Sequence, residues 1–206
     1  MNGLLTPQRS AGTIIELSFR LLGRTIPVDH GYALYAALSR VVPELHGAQD
    51  IGVHPIRGIY GGDGRVYLTP FSRLTLRLPD SQFRPYLQLA GKKLDVAGHG
   101  LRIGISHVRL LYPSPALYAR LVIIKGFMEP EGFLEAAKRQ LQEIGATGDL
   151  RVGERRTLRV KDKQVVGFEV VVNTLTGGDA VKLQEVGLGG RRRFGCGVFV
   201  PYRGEL

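Results

Sequence analysis

Apolar and polar residues alternate over residues 13–22, with the two-residue period of a strand that buries one face. A helix is predicted next, because apolar residues recur at helical spacing between Asp29, the expected N-cap, and Pro43, which ends it. The patterns that follow predict a strand over residues 49–59, extended structure over 66–78, a short helix over 80–89 and a strand pair over 93–105.

The second half of the chain repeats this order of elements. Its patterns predict a strand over residues 117–125, an amphipathic helix over 130–144, a hairpin of strands over 150–160 and 165–172, a short helix over 178–186 and a closing strand over 196–202. Each half then has the order β-α-β-β-α-β, which is the ferredoxin-like unit. The predicted fold is therefore α+β, with two tandem ferredoxin-like domains over residues 1–112 and 116–206 and a linker at 113–115.

The charge of the chain adds information about its partner. Among 206 residues, Lys and Arg number 28 against 18 Asp and Glu, and 21 of the basic residues are arginine. A pI near 10.0 is typical of nucleic-acid binding, although a surface that docks on an acidic protein has the same signature. The only cysteine, Cys196, excludes an intrachain disulfide and favours a reducing cytoplasm. No apolar run of membrane-spanning length occurs.

The most unusual segment is residues 187–197, which hold five glycines and three arginines. Glycine amides can cradle an anion, and guanidinium groups bind phosphate in forks. Neither a dinucleotide-binding fingerprint nor a Walker A sequence fits, which weakens a small-molecule nucleotide site without eliminating it. A glycine-rich hairpin with a solvated charge run is the structural alternative. The candidate RNA-binding residues are Gly187, Gly189, Gly190, Arg191, Arg192, Arg193, Gly195 and Gly197.

This loop resembles the C-terminal glycine-rich signature of the RAMP superfamily, specifically of the CRISPR precursor-RNA processing endoribonucleases. The stretch DHGYALY at residues 29–35 resembles one subtype of them. The resemblance implies two ferredoxin-like domains that bind a repeat stem-loop and cut it once, without a metal or cofactor. The 2′-hydroxyl attacks the adjacent phosphate and leaves a 2′,3′-cyclic phosphate and a 5′-hydroxyl. Such enzymes keep their product, the mature crRNA, and join an effector complex. Noncatalytic subunits of that complex share the glycine loop, so an RNA-binding scaffold is the alternative.

The resemblance also implies a catalytic histidine at the start of the first helix, where His30 lies. Histidine transfers protons near neutral pH, and a helix N-terminus favours the neutral imidazole, which suits a base. Whether His30 acts as base or acid stays open, and a histidine at the edge of the core is the structural alternative. No histidine or carboxylate spacing indicates a metal site. Possible helpers of His30 are Arg24, Tyr32, Tyr35, Ser39 and His46.

The predicted hairpin of the second half is basic, because it carries Arg155, Arg156 and Arg159. These arginines could clamp RNA phosphates, or they could form a charged edge of the sheet.

Overall fold

The computed structural model describes residues 12–202. The elements of the first half are β1 (Ile14–Leu22), β2 (Thr25–Pro27), α1 (Gly31–Val41), β3 (Gly52–Val53), β4 (Ile59–Tyr60), β5 (Arg65–Tyr67), β6 (Arg73–Pro79), β7 (Lys93–Val96) and β8 (His99–Leu110). One antiparallel sheet of this half has the strand order β3-β6-β1-β8-β7. A smaller sheet has the order β2-β5-β4.

The elements of the second half are β9 (Leu117–Val122), α2 (Pro130–Glu143), β10 (Asp149–Val160), β11 (Lys163–Asn173), α3 (Gly177–Val186) and β12 (Val200–Pro201). Its four strands form one sheet of order β10-β11-β9-β12. In both halves the first strand lies between the third and the last strands of its β-α-β-β-α-β unit. The prediction of an α+β fold with two ferredoxin-like units is confirmed.

Strand periodicity explains why each sheet has one apolar and one polar face. Leu17 and Phe19 of β1 are fully buried and pack with Leu34 and Leu38 of α1. Glu16 and Ser18 alternate with them and therefore lie on the face that carries no helix. The second half has its own core, in which Phe133 of α2 packs near Phe168 of β11.

The extended run over 66–78 is divided into β5 and β6, and the strand pair over 93–105 continues to Leu110 at the end of β8. Three other predicted elements differ more from the structure. The strand predicted over 49–59 is interrupted between β3 and β4, because the amide of Ile56 donates to the imidazole of His30 instead of to a strand. The closing strand over 196–202 is reduced to β12, since Gly197 has a φ of 64° and donates its amide to Leu121. The helix over 80–89 is two short 3₁₀ helices, Asp80–Gln82 and Arg84–Leu89.

The start of α1 also differs in detail. His30, not Asp29, occupies the N-cap position, and no side chain caps the helix. The Asp29 carboxylate instead accepts a hydrogen bond from the amide of Arg159 on β10, at 2.8 Å. This contact brings the start of α1 to the basic hairpin of the second half.

The buried guanidinium of Arg77 on β6 joins the two halves. Its Nη1 donates to the carbonyl of Gln184 at 2.8 Å and to that of Phe199 at 2.7 Å. Its Nη2 donates to Glu16 at 2.6 Å, so the buried charge is neutralised by a carboxylate of the first sheet. The predicted linker, residues 113–115, lies between β8 and β9. The ends of the two predicted domains, residues 1–11 and 203–206, lie outside the described residues.

Within residues 12–202, no helix has the length and apolar character needed to cross a membrane.

Candidate functional site

His30 is buried, and the backbone occupies both of its ring nitrogens. Nδ1 lies 2.7 Å from the carbonyl of Pro27, which can only accept, so Nδ1 carries the proton. Nε2 accepts the amide of Ile56 at 2.9 Å. Only 3% of the residue is exposed. The imidazole thus fastens the start of α1 to the segment that follows β3.

Burial lowers the pKa of His30 from its ordinary value of 6.5 to about 4, against the opposing effect of the Pro27 hydrogen bond. The positive charge of Arg120 lowers the pKa further. At pH 7 about one such imidazole in a thousand would be protonated. The expectation of a neutral imidazole at the helix start agrees with this environment, although the main cause is burial.

His30 lines a cleft between the halves, which we call the arginine cleft. Its volume is about 560 Å³. It is lined by Arg57, Tyr60, Tyr118, Arg120 and Arg156, together with His30, His54 and apolar residues. Burial lowers the pKa of His54 well below 6.5, and neighbouring arginines, Arg77 first, lower it further. Both histidines of this cleft are therefore neutral near pH 7.

His46 offers a different environment at the other end of α1. It is exposed, and its Nδ1 lies 3.1 Å from the hydroxyl of the buried Tyr35. The two rings stack with centroids 5.8 Å apart. No hydrogen bond to its Nε2 is found among residues 12–202. His46 thus combines an exposed side chain with a hydrogen bond and a stacking contact to Tyr35.

The glycine–arginine loop, residues 187–197, reaches the same end of α1 through Arg193. Its guanidinium lies over the ring of Tyr35, 5.6 Å from the centroid, and Nη1 donates to the carbonyls of Leu45 and His46. Phe194 packs edge-on against Tyr35, with centroids 4.8 Å apart. Tyr35, His46 and Arg193 therefore form one cluster.

The loop glycines are used by the protein itself. Gly189 donates its amide to the side chain of Gln140 at 2.7 Å, and Gly190 donates to Ile123 at 2.9 Å. The amides of Gly187, Gly195 and Gly197 also donate to backbone carbonyls. The amides expected to cradle an anion therefore have protein acceptors. A Cβ at Gly187 or at Gly197 would collide with a carbonyl oxygen of the loop, which explains these glycines by close packing.

The three loop arginines take different positions. Arg191 is exposed, with a φ of 65°, whereas Arg192 lies partly buried with Nη2 at 3.5 Å from the carbonyl of Gln184. Arg193 is engaged with Tyr35 and the chain around His46. Arg191 is thus the one arginine of residues 187–197 that is exposed.

On the basic hairpin, Arg155 and Arg159 are exposed, while Arg156 donates through Nε to Glu169 at 2.6 Å. Arg156 thereby turns into the arginine cleft beside Arg120. Sequence reasoning missed Arg120 and Tyr118, although they alternate with buried residues of β9 and so had to lie on its helix-free face.

Of the other proposed helpers, Tyr32 and Ser39 lie on α1, and Arg24 lies between β1 and β2. Tyr32 packs edge-on against Phe194, and Arg24 is exposed. The hydroxyl of Ser39 is buried without a partner among the described residues.

Burial raises the pKa of the Cys196 thiol to about 12, so this cysteine is not a thiolate nucleophile. Within residues 12–202, no group of three metal-ligating side chains is found.

Comparison with known proteins gives the family of the chain. A family model described as "Cas6 Crispr" matches residues 15–204. A CRISPR-associated endonuclease Cas6 of Myxococcus xanthus is 38% identical over 187 residues, which are 91% of this chain and 81% of that protein.

Solved structures of low sequence identity share the fold. A "CRISPR associated protein Cas6" has a TM-score of 0.62 at 12% identity, over 93% of this chain and 100% of its own. "An RAMP protein binding different RNA substrates" has a TM-score of 0.62 at 12% identity, over 90% and 98%. Thermus thermophilus Cse3, bound to an RNA representing a pre-cleavage complex, has a TM-score of 0.51 at 15% identity, over 91% and 98%. The family match and the 38% identity together show that this chain belongs to the Cas6 family of CRISPR-associated endonucleases.

Proposed function

We propose that this protein binds CRISPR repeat RNA and cuts precursor crRNA once per repeat, without a metal ion, and keeps the product. In the proposed reaction the 2′-oxygen forms a bond to the adjacent phosphorus while the bond from phosphorus to the 5′-oxygen breaks. One group takes the 2′-hydroxyl proton, and another gives a proton to the departing 5′-oxygen. The products are a 2′,3′-cyclic phosphate and a 5′-hydroxyl.

The observation that carries the assignment of residues is the cluster of Tyr35, His46 and Arg193. The Nδ1 atom of His46 is hydrogen-bonded to Tyr35, and the residue is exposed. Either partner of this hydrogen bond can be the donor, so Nε2 can be the accepting or the donating nitrogen. The guanidinium of Arg193 supplies positive charge beside the reacting phosphate. We therefore propose His46 as a proton-transfer group.

His30 stays the second candidate for that role. To act as a base, its Nε2 must release the amide of Ile56, and to act as an acid it must gain a proton against a pKa of about 4. Both steps need a rearrangement of the segment after β3. We therefore assign His30 a positioning role in the proposed enzyme, with catalysis by His30 as the alternative that experiment decides.

The test is single-turnover cleavage of end-labelled repeat RNA in EDTA. Wild type is compared with His46→Ala, His30→Gln and, as a matched control, His107→Ala, which removes an exposed histidine of β8. We expect wild type to cut once and leave a cyclic phosphate. His46→Ala should lose about 10²–10⁴-fold in rate with binding retained, because a positioned acid or base contributes that much.

Other outcomes reassign the roles. Full activity of His46→Ala, with a folded but inactive His30→Gln, would move proton transfer to His30. Cleavage that stops in EDTA and returns with a divalent ion would refute metal independence. Tight binding by wild type without a cut would favour a noncatalytic RNA-binding subunit.

A modified substrate separates acid from base. When sulfur replaces the 5′-oxygen at the cut site, the leaving group no longer needs a proton. Rescue of His46→Ala by this RNA would identify His46 as the acid, and lack of rescue would identify it as the base. Product retention is tested separately, by gel filtration of the enzyme after complete cleavage of labelled RNA.

A further inference from the structure

The second part of β8 is an open edge of the first sheet. β7 pairs with β8 only over residues 99–102, and Ile103 is bonded on that side to the backbone of Lys92. Over residues 104–110, β8 is paired with β1 alone among residues 12–202. The backbone groups that point away from β1 in this stretch are therefore available to another strand.

The side chains of this edge are largely apolar and exposed. Ile105, Val108 and Leu110 are 68, 52 and 69% exposed, and Tyr112, just after the strand, is 70% exposed. Lysine and proline, which natural proteins place on strand edges to prevent pairing, do not occur in residues 104–110. An unprotected edge with exposed apolar side chains is a surface for strand addition.

The pairing of β8 with β1 assigns these side chains to the two faces of the sheet. Three residues lie opposite buried residues of β1 and share the face that carries α1: Ser106, Val108 and Leu110. His107 and Arg109 alternate with them and lie on the helix-free face. A strand added to this edge would meet both rows of side chains.

The sequence of this edge is complementary to itself in one antiparallel register. When Val108 lies opposite Val108 of a second copy, the large Leu110 lies opposite the small Ser106. In the same register Tyr112 lies opposite Gly104, and an aromatic ring across from an edge glycine is a favourable pair in sheets. An edge that is complementary to itself fits an interface with a two-fold axis.

The helix-free face is compatible with the same register. Ile105 lies opposite Leu111 of the second copy, and Arg109 lies opposite His107, so the two Arg109 side chains do not face each other. A register centred on His107 instead would place Arg109 opposite Ile105 and lose the apolar pair. The register centred on Val108 is therefore preferred.

The area of this surface suits a weak dimer. A fully exposed Val, Leu or Ile side chain offers about 100 Å² and a Tyr about 200 Å², so the four exposed side chains offer about 300 Å² per copy. Apolar atoms make up about 57% of an interface, so two copies would bury about 1,000 Å² in total. This is the lower end of the range for specific interfaces, and we expect a micromolar Kd.

We propose that residues 104–112 of two copies of this chain pair as antiparallel strands about a two-fold axis at Val108. The pairing joins the two five-stranded sheets into one continuous sheet. This inference goes beyond the proposed function, and its test contains no RNA, so the two can fail independently.

The test measures the mass of the full-length, RNase-treated protein by sedimentation equilibrium from about 1 to 200 µM. Val108→Lys and Val108→Glu are measured alone and as an equimolar mixture. Met128→Lys is the matched control, because Met128 is an exposed apolar residue of the second half. Tyr112→Ser provides a variant outside the strand, and far-UV circular dichroism checks the fold of each variant.

We expect the mass of wild type to rise from 22.6 kDa towards twice that value, with a Kd of about 10 µM. Each charge at position 108 should raise the Kd more than about tenfold, because identical charges would face each other across the axis. The mixture should return to within about threefold of wild type, since unlike charges then meet. Tyr112→Ser should raise the Kd about tenfold, and Met128→Lys should leave it unchanged.

Salt distinguishes this association from one bridged by RNA. Each copy carries a formal net charge of +10, so screening should strengthen direct pairing between about 0.1 and 0.5 M NaCl. An association bridged by residual RNA would weaken over the same range. A Kd that rises with salt would therefore contradict the inference.

Three other results would overturn the proposal. Wild type that stays at 22.6 kDa at every concentration and salt would show that a second copy does not occupy the edge. Equal Kd values for Val108→Lys, Tyr112→Ser and Met128→Lys would place the interface elsewhere. Dimers that form only after deletion of residues 1–10 would show that this segment, and not a second copy, covers the edge in the full chain.

Discussion

The buried, neutral state of His30 makes the stability of the protein depend on pH. In the unfolded chain the imidazole has its ordinary pKa of 6.5, and in the folded protein burial lowers that pKa to about 4. The unfolded state therefore binds more protons than the folded state between these values. The stability conferred by a neutral His30 is complete above pH 6.5 and is lost as the pH falls towards 4.

The size of this effect follows from the same two pKa values. A difference of about 2.5 pKa units corresponds to about 3 kcal/mol once the pH is below 4, because each unit is worth about 1.4 kcal/mol. Between pH 8 and pH 5 the loss is about 2 kcal/mol. His54 titrates in the same direction, so wild type alone would overstate the contribution of His30.

The perturbation that isolates His30 is His30→Gln, since the amide can donate and accept hydrogen bonds but does not titrate. Urea unfolding is followed by far-UV circular dichroism at pH 8 and pH 5, because the chain has no tryptophan to report by fluorescence. We expect wild type to lose about 2 kcal/mol more between these pH values than His30→Gln does. The control His107→Gln, at an exposed position, should lose as much as wild type. Equal losses in wild type and His30→Gln would refute the assignment of a neutral, buried imidazole.

Two further predictions concern the loop. Gly31→Ala should lower the midpoint of thermal unfolding, because its Cβ would collide with the carbonyl of Phe194. The control Gly178→Ala has open space around its Cβ and should leave the midpoint unchanged. Equal midpoints of the two variants would show that the loop does not pack closely on α1. Arg191→Ala should reduce the salt dependence of repeat-RNA binding by about 0.7–0.9 in slope, the loss of one phosphate contact. An unchanged slope in a binding titration would place Arg191 outside the interface.

Regular alternation and helical spacing were sufficient to predict most of the fold. The strand at residues 13–22, the first helix and the hairpin of the second half all have patterns that match one buried face. These patterns do not predict segments whose backbone amides hydrogen-bond to a side chain instead of to a neighbouring strand. Residues 54–58 have apolar members typical of a strand, but the amide of Ile56 is taken by the imidazole of His30, which no local pattern encodes.

The loop shows why composition did not reveal its function in detail. Five glycines beside three arginines indicate an anion site, and the same glycines are needed where two backbones approach closely. The amides of these glycines have protein acceptors, and Arg191 is the one arginine of the loop that is exposed. The two uses, anion binding and close backbone packing, are distinguished only by the groups that accept the glycine amides. Some of these acceptors, such as Gln140 of α2, are distant from the loop in sequence.

The choice between His30 and His46 depends on the same kind of distant contact. Sequence places one histidine before α1 and one after it, and both positions are compatible with proton transfer. In the folded protein, both ring nitrogens of His30 are hydrogen-bonded to the backbone, one to Pro27 and the other to Ile56. Only one ring nitrogen of His46 is hydrogen-bonded, to the hydroxyl of Tyr35. A base whose pKa is about 4 is already deprotonated at pH 6, so a cleavage rate that rises between pH 6 and 7 cannot be explained by His30. A pH–rate profile of wild type over that range therefore tests the assignment without any substitution.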